Sequence, residues 1–430
     1  MALTRRAVLV AALGVVPAIL VPRTATVLTW TALLVLGVLV DLLLAASPRA
    51  LELARQVPHS VRLDEPATST LTVTNTGRRT ARLLVRDAWV PSAGAERNRH
   101  RVTVPGGESR RVRTALRPWR RGDRHADLVT VRSRGPLGLA ARQRSLPAPA
   151  RLRVLPAFTS RRHLPSRLAR LREMDGRAAV QVRGEGTEFD SLREYVIGDD
   201  VRAIDWRATA RGGDVVVRTW RPERDRRVLI VIDSSRLSAA RLGEAPRLEA
   251  QIEAALLLAA LASRAGDRVD VIAVDSVVRA RVSGVQGPRL MSALAEGLAQ
   301  VEASLVQMSW PTVTQAVRDT LSQRSLVVLL TALDTAAVTS DLLPVVGALT
   351  RDHQVALASA ADPEAEEIRT RRSTSEEVFD AAAAERAALE RDAAGRRLRR
   401  SGVEVVEASP DDLPPALADT YLALKAAGRL

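Results

Sequence analysis

The chain of 430 residues contains no cysteine, which excludes disulfides, thiolate zinc sites and cysteine nucleophiles. Histidine is scarce: His59, His100, His125, His163 and His353 are scattered, with no HxxxH or HExxH spacing. A multi-histidine metal centre is not expected. Lysine occurs once, as Lys425, so the net charge of +15 is an arginine charge. Aromatics are 3% of the chain. No recognition-helix motif, zinc finger or aromatic-studded sheet segment accompanies the charge, so nucleic acid is not the expected partner. A GxxxxGK[ST] loop is missing too, which argues against ATPase or kinase activity of the chain itself. Arginine and alanine are abundant throughout, which reads first as coding bias and second as attraction to an anionic membrane surface. Such a charge bears on association, not on fold.

What is present begins with two apolar runs. Ala7 to Val21 carries no charge and follows Arg5 and Arg6; Thr26 to Ala46 is interrupted only by Asp41, after the connector Pro22-Arg23-Thr24-Ala25. The second run has the length of ~20 residues that a bilayer requires. A two-helix membrane anchor is expected over residues 1–47, with spans near 5–22 and 26–46. A cleaved signal followed by one span is the alternative, since TRRAVLV resembles a twin-arginine signal, but no good cleavage site follows. Either way the rest of the chain stays in the cytoplasm, and Arg49 and Arg55 agree with the positive-inside rule. Trp30 is expected near the outer interface. Asp41, near the end of its span, is expected to reach the cytoplasmic interface; as an intramembrane carboxylate it is also a functional candidate.

Residues 57–155 alternate with period two. Thr70-Leu71-Thr72-Val73-Thr74 is strict, Asn75-Thr76-Gly77 supplies a turn, and Leu128 to Arg132 repeats the pattern. Short strands at this spacing predict a small β-sandwich-like domain with a spacer or interaction role. Residues 156–224 are a linker with a charge-dense segment, and residues 225–430 read as α/β. Val228–Ile232, Val269–Val274, Leu326–Leu330 and Val355–Ala360 are apolar runs suited to strands buried on both faces. Helical patterns separate them over Pro246–Ala265, Leu290–Val301 and Leu342–Leu349. A long helix over Glu376–Arg399, a strand at Val403–Val406 and a helix at Leu413–Ala427 close the chain. The alternation predicts a mainly parallel sheet flanked by helices. Its ligand edge lies at the strand carboxyl ends, which carry Asp233-Ser234-Ser235, Asp275-Ser276 and Thr331-Ala332-Leu333-Asp334. The loop Ser309 to Thr314 adds hydroxyls, and such oxygens suit magnesium.

From about Asp225 onward the chain resembles a von Willebrand factor type A domain. The block Glu188-Phe189-Asp190-Ser191-Leu192-Arg193-Glu194-Tyr195, Gly198-Asp199-Asp200, Arg202-Ala203-Ile204-Asp205-Trp206 and Ala210-Arg211 resembles the signature of the bacterial domain-of-unknown-function family 58. With the anchor and the β domain, the resemblance covers nearly all of the chain. Members are often encoded beside a MoxR-type AAA+ ATPase, so the resemblance implies an adaptor for such a chaperone system. It also implies a metal motif, DxSxS with a distant Thr and Asp. Asp233 and Ser235 carry over, Leu237 stands where the third hydroxyl belongs, and Ser238 is one residue out of register. The distant Thr would be Thr312 or Thr314 and the distant Asp would be Asp334, which makes a weakened magnesium site.

Within the signature block, Arg193, Arg202 and Arg211 stand among Asp199, Asp200 and Asp205, beside Tyr195, Ile204 and Trp206. The mixture suggests Arg–carboxylate pairs partly buried against the following domain, with a partner-docking surface as the alternative. The expected function is a membrane-anchored cytoplasmic interaction scaffold. A metal-dependent hydrolase using Asp233 and Asp334 is the second reading. A basic membrane-surface or nucleic-acid binder using the clusters at Arg117–Arg124 and Arg161–Arg172 is the third.

Overall fold

A computed structural model describes residues 2–181, 188–221 and 226–430. The chain divides into two units, Met1–Ala157 and Phe158–Leu430. The expected domain boundary at residues 224–225, and Gly186 and Thr187 ahead of the signature block, lie outside the described residues.

In the first unit the leading apolar run does not form one helix. It breaks at Gly14 into Arg5–Leu13 and Val15–Leu20. Pro17 has no N–H to give the Leu13 carbonyl, so the hydrogen-bond ladder cannot run through. The next helix, Thr24–Leu44, is continuous. It belongs to the one stretch among the described residues that is long and apolar enough to cross a membrane, Thr24–Ala50, whose 18-residue core has a mean hydropathy of 2.4. One such helix stands where two spans were expected. Trp30 also packs between helices: its Nε1 donates to the Val10 carbonyl at 3.2 Å. Its ring covers Gly14, where any Cβ would fall 2.3 Å from it.

The rest of this unit is two antiparallel layers. One contains Leu51–Gln56, Ala67–Asn75, Ser109–Leu116 and Ala95–Glu96; the other is centred on Ala81–Asp87, Gly122–Arg134 and Ala140–Leu155. Alternation decides which side chains go inward: Leu71 and Val73 from one layer meet Leu83, Val85, Val129 and Val131 from the other. The same alternation turns Arg55 inward. Its guanidinium is buried and pairs with Asp87 at 2.5 Å. Ser69 Oγ and Trp89 Nε1 also donate to Asp87. The pair is satisfied on nearly all sides, which is the condition for burying it.

The second unit is built on a six-stranded sheet. Its strands are β1 (Arg227–Asp233), β2 (Arg268–Val274), β3 (Val278–Val282), β4 (Leu326–Leu330), β5 (Gln354–Ala360) and β6 (Val403–Ala408). Their order is β3-β2-β1-β4-β5-β6. All neighbours are parallel except β3, which returns antiparallel along β2. Successive residues of β1 serve opposite cores. Val228, Ile230 and Ile232 pack with the helices Arg247–Arg264, Leu290–Ala299 and Leu413–Ala426. Leu229 and Val231 pack with Trp310–Thr320, Leu343–Asp352 and Ser375–Arg400. Burial on both faces is what made these strands continuous apolar runs.

The single lysine has a structural post. Lys425 Nζ donates to Asp267 Oδ1 at 2.7 Å, and the buried Tyr421 hydroxyl donates to Asp267 Oδ2. These bonds fasten the last helix to the loop before β2. Tyr421→Phe leaves the ring packing intact and removes one donor to a buried carboxylate. It is expected to cost about 1–2 kcal/mol, read as a lower denaturant midpoint of the second unit at unchanged slope.

Candidate functional site

The carboxyl ends of β1, β2 and β4 form one edge, and the order of the sheet puts β1 at its centre. Asp233, the last residue of β1, is buried. Its Oδ1 accepts the Ser235 N–H at 2.8 Å and its Oδ2 accepts the Thr331 hydroxyl at 2.6 Å. The hydroxyls of Ser234 and Ser235 are buried without a partner. Asp233, Ser235, Leu237, Met308, Trp310 and Asp334 are among the residues lining a cleft of ≈ 110 Å³. Asp334 stands at its rim as the N-cap of a short helix, its Oδ1 accepting from Ala337 N at 2.9 Å.

The threonines expected to complete a metal shell do not meet Asp233. Ser309 to Thr314 was read as a loop, but Ser309 caps a helix that runs over Trp310–Thr320. Thr312 Oγ1 is held by Ser309 Oγ at 2.7 Å and by the Ser276 carbonyl at 3.3 Å, and Thr314 Oγ1 donates back to the Trp310 carbonyl at 3.0 Å. Thr331 is the threonine that reaches Asp233, and its place at the end of β4 was the signal for it. Leu237 adds no oxygen. Among the described residues no three acidic or imidazole side chains converge. A cation is already nearby: Arg247 donates to the Leu237 carbonyl at 2.6 Å. Burial pushes its guanidinium below the ordinary value, against the opposing pull of Asp362, Asp233 and Asp334. Magnesium needs a near-octahedral set of oxygens, and this donor set does not fit it.

Asp275, at the end of β2, organises the same edge instead of lining it. It accepts from Arg279 Nε at 2.7 Å, Ser304 Oγ at 2.7 Å and Val277 N at 3.0 Å. Burial raises its pKa, but those hydrogen bonds outweigh burial and hold it at about 2. Ser304 N in turn donates to the Ser234 carbonyl at 2.8 Å, and Ser309 N to the Asp275 carbonyl at 2.8 Å. The segment between β3 and Trp310 is thereby stitched across the ends of β1 and β2.

The signature block forms a separate hairpin, with strands Glu188–Glu194 and Val216–Arg221 joined through a short helix, Trp206–Gly212. Its charged residues are used inside the hairpin. Arg193 makes a two-pronged contact with Asp199 at 2.7 and 2.6 Å. That contact, with the Val196 N–H, holds the Asp199 carboxyl below the usual range. Asp205 caps the helix by accepting from Arg207 N and Ala208 N, and its other oxygen takes Arg218 Nε at 2.8 Å. The Ala208 N–H and then Arg218 hold it low. Asp200 accepts from Arg202 N, Tyr195 N donates to the Val215 carbonyl, and Glu194 gives its carbonyl to Arg193. Gly198 has φ 111°, a turn conformation that favours glycine. Arg211 is exposed at the end of the helix. Both pairs form within the hairpin, with Asp199 and Asp205 partly buried there. Local pairing leaves the apolar residues outside: Ile197 is 96% exposed and Trp206 68%.

The two arginine clusters are partly occupied. Arg124 donates to Ser92 Oγ and to the Arg121 carbonyl, and Arg121 is buried. Arg167 and Arg170 share Asp419.

Comparison with solved structures gives low-scoring overlaps. The VWA domain of SpRpn10 is 12% identical, covering 46% of this chain and 94% of that one at a TM-score of 0.28. The CARDB domain of the PF1109 protein from Pyrococcus furiosus is 15% identical, covering 24% and 87% at 0.20. The PapD-like domain 7 of human CEP192 is 13% identical, covering 25% and 87% at 0.18. No curated protein matches the chain. The family model described as protein of unknown function DUF58 matches residues 191–406, from the signature hairpin into β6 and across half of the chain, and the chain therefore belongs to the DUF58 family.

Proposed function

We propose that this chain is a membrane-anchored interaction scaffold whose signature hairpin docks a protein partner, and that its second unit is a von Willebrand factor type A-like domain. The observation that carries the reading is the exposure of Ile197 and Trp206, with Val196 and Val201 beside them, on a hairpin in which Arg193 pairs with Asp199 and Arg218 with Asp205. An apolar tip on a rigid, internally satisfied support is what a docking anchor needs. A MoxR-type AAA+ ATPase is the proposed partner, as the family resemblance implies. The helix within Thr24–Ala50 supplies the anchor, with the β layers of the first unit and the whole second unit on the cytoplasmic side. A metal-dependent hydrolase is less well supported, because Thr312 and Thr314 are bonded elsewhere and no three acidic or imidazole side chains converge among the described residues.

The test is direct binding of the purified full-length chain, in detergent, to a purified MoxR-type ATPase with nucleotide. Ile197→Asp and Trp206→Ala are each expected to weaken binding by roughly tenfold or more, as loss of a central anchor does. Unchanged affinity in both variants would exclude the hairpin as the docking element. No binding by the unaltered chain would exclude this partner.

A further inference from the structure

The first unit holds a contact that constrains how the anchor can sit in a bilayer. Asp41 is fully buried although it lies in the most apolar helix of the chain. Its Oδ1 accepts the backbone N–H groups of Leu137 and Gly138 at 2.7 and 3.3 Å; its Oδ2 accepts those of Leu139 and Ala140, both at 2.7 Å. Gly135 is required there, because a Cβ would fall 2.1 Å from Asp41 Oδ1. The loop is also tied to the start of the chain. Thr4 N donates to the Leu139 carbonyl, and Ala2–Leu3 pairs with Ala140 and Ala141. Further along the helix, a Cβ on Gly37 would lie 3.2 Å from Leu139 Cδ1.

Lengths then decide where the loop sits. The helix Thr24–Leu44 has 21 residues, which rise about 31 Å and match a hydrocarbon core of about 30 Å. If the loop stayed in water, only residues 24–36, thirteen in all and ahead of the Leu139 contact, would be free to cross. They rise about 20 Å, too little for the core. The chemistry permits the deeper position. A loop backbone is costly in an apolar medium because its N–H groups lose water, and a carboxylate is costly for the same reason. Here each satisfies the other. Leu137 is 50% exposed, and Leu43 and Leu44 are exposed nearby on the helix. Arginines surround the same end: Arg79 donates to the Leu43 carbonyl, Arg6 lies against Gly138, and Arg49, Arg142 and Arg144 line an open cleft with Ser47.

We infer that the β unit lies directly on the bilayer, with its Gly135–Ala140 loop inserted at the lipid interface and its arginine rim against anionic headgroups. The inference rests on the anchor reading above, and the test separates the two. A chain without cysteine accepts single labelling sites. Leu33→Cys, in mid-helix, Leu137→Cys, and Glu65→Cys, at the far end of the Ala67–Asn75 strand, would each carry a nitroxide. Each labelled full-length chain goes into nanodiscs of phosphatidylcholine and phosphatidylglycerol, and its accessibility to oxygen and to a water-soluble nickel chelate is measured. The expected result is a lipid-like ratio at 33, a ratio at 137 several-fold above that at 65, and a water-like ratio at 65. A water-like ratio at 137 with a lipid-like one at 33 overturns the inference and leaves the anchor standing. A water-like ratio at 33 overturns both.

Discussion

Replacing Asp41 by Ala is expected to cost the first unit roughly 3–5 kcal/mol, the largest effect of any single substitution in it. The carboxylate accepts four backbone N–H groups and is closed to solvent. Truncation leaves all four donors without that acceptor, the Ala140 N–H buried and the other three partly so, and each such loss costs about 1–3 kcal/mol where water cannot enter. Partial re-entry of water at the interface brings the sum below the additive limit. Asp41→Asn is expected to lose less, since an amide keeps one acceptor oxygen and brings two donors to a place crowded with donors. Gly135→Ala tests the same contact from the other side, through the Cβ that has no room. The measurement is thermal or denaturant unfolding of the full chain in detergent, with amide exchange followed at residues 137–140. Wild-type stability and protection in Asp41→Ala would mean that the carboxylate is not what holds the loop.

How far these features could be read from the sequence depends on the range of the interaction. The strands β1, β2, β4 and β5 of the second unit were legible because each is a short, largely apolar run, a local property. Ile230 and Leu229 serve opposite cores, but both are apolar, and the run announces itself. Two helices did not. Trp310–Thr320 is preceded by its cap in Ser-Trp-Pro-Thr, which reads as a turn until Ser309 is seen to cap it, and Pro363–Thr370 is half charged and buries no residue. The side-chain roles were least legible. Asp41 finds its donors 96 to 99 residues away and Thr331 finds Asp233 98 residues away, so no local pattern encodes either pairing. The burial of Arg55 has the same long range: it depends on Asp87, which is 32 residues distant. The Arg193–Asp199 pair spans only six residues. Proximity made a pair easy to suspect, but where Ile197 would end up depended on partners that sequence spacing does not reveal.

Asp275→Ala is expected to destabilise the second unit by roughly 2–3 kcal/mol and to loosen the strand-edge cleft at the same time. The carboxylate is fully buried and accepts from Arg279, Ser304 and Val277. Arg279 is nearly half exposed, so it can be resolvated when its partner is lost, which keeps the cost below that of breaking a fully buried pair. The pH dependence has a definite sign. With its folded pKa at about 2 against an ordinary 3.8, Asp275 binds its proton less readily in the folded chain than in the unfolded one. Its contribution, about 2 kcal/mol, is therefore complete above the unfolded value and is lost as pH falls through the folded value. Urea titrations of the wild type and of Asp275→Asn between pH 7 and pH 2 should converge at the acid end and separate above about pH 4. A constant gap across that range would mean that the residue acts through shape and not through charge. The cleft adds a second readout. Ser304 and Ser309 hold the segment that carries Met308 and Trp310 over Asp233, so the Asp275→Ala variant should also show faster amide exchange at 304–309 while β1 and β4 stay protected. If both changes appear together, Asp275 is the brace that keeps Trp310 over the cleft; normal exchange at 304–309 in the destabilised variant would separate the stability of the sheet from the shape of its edge.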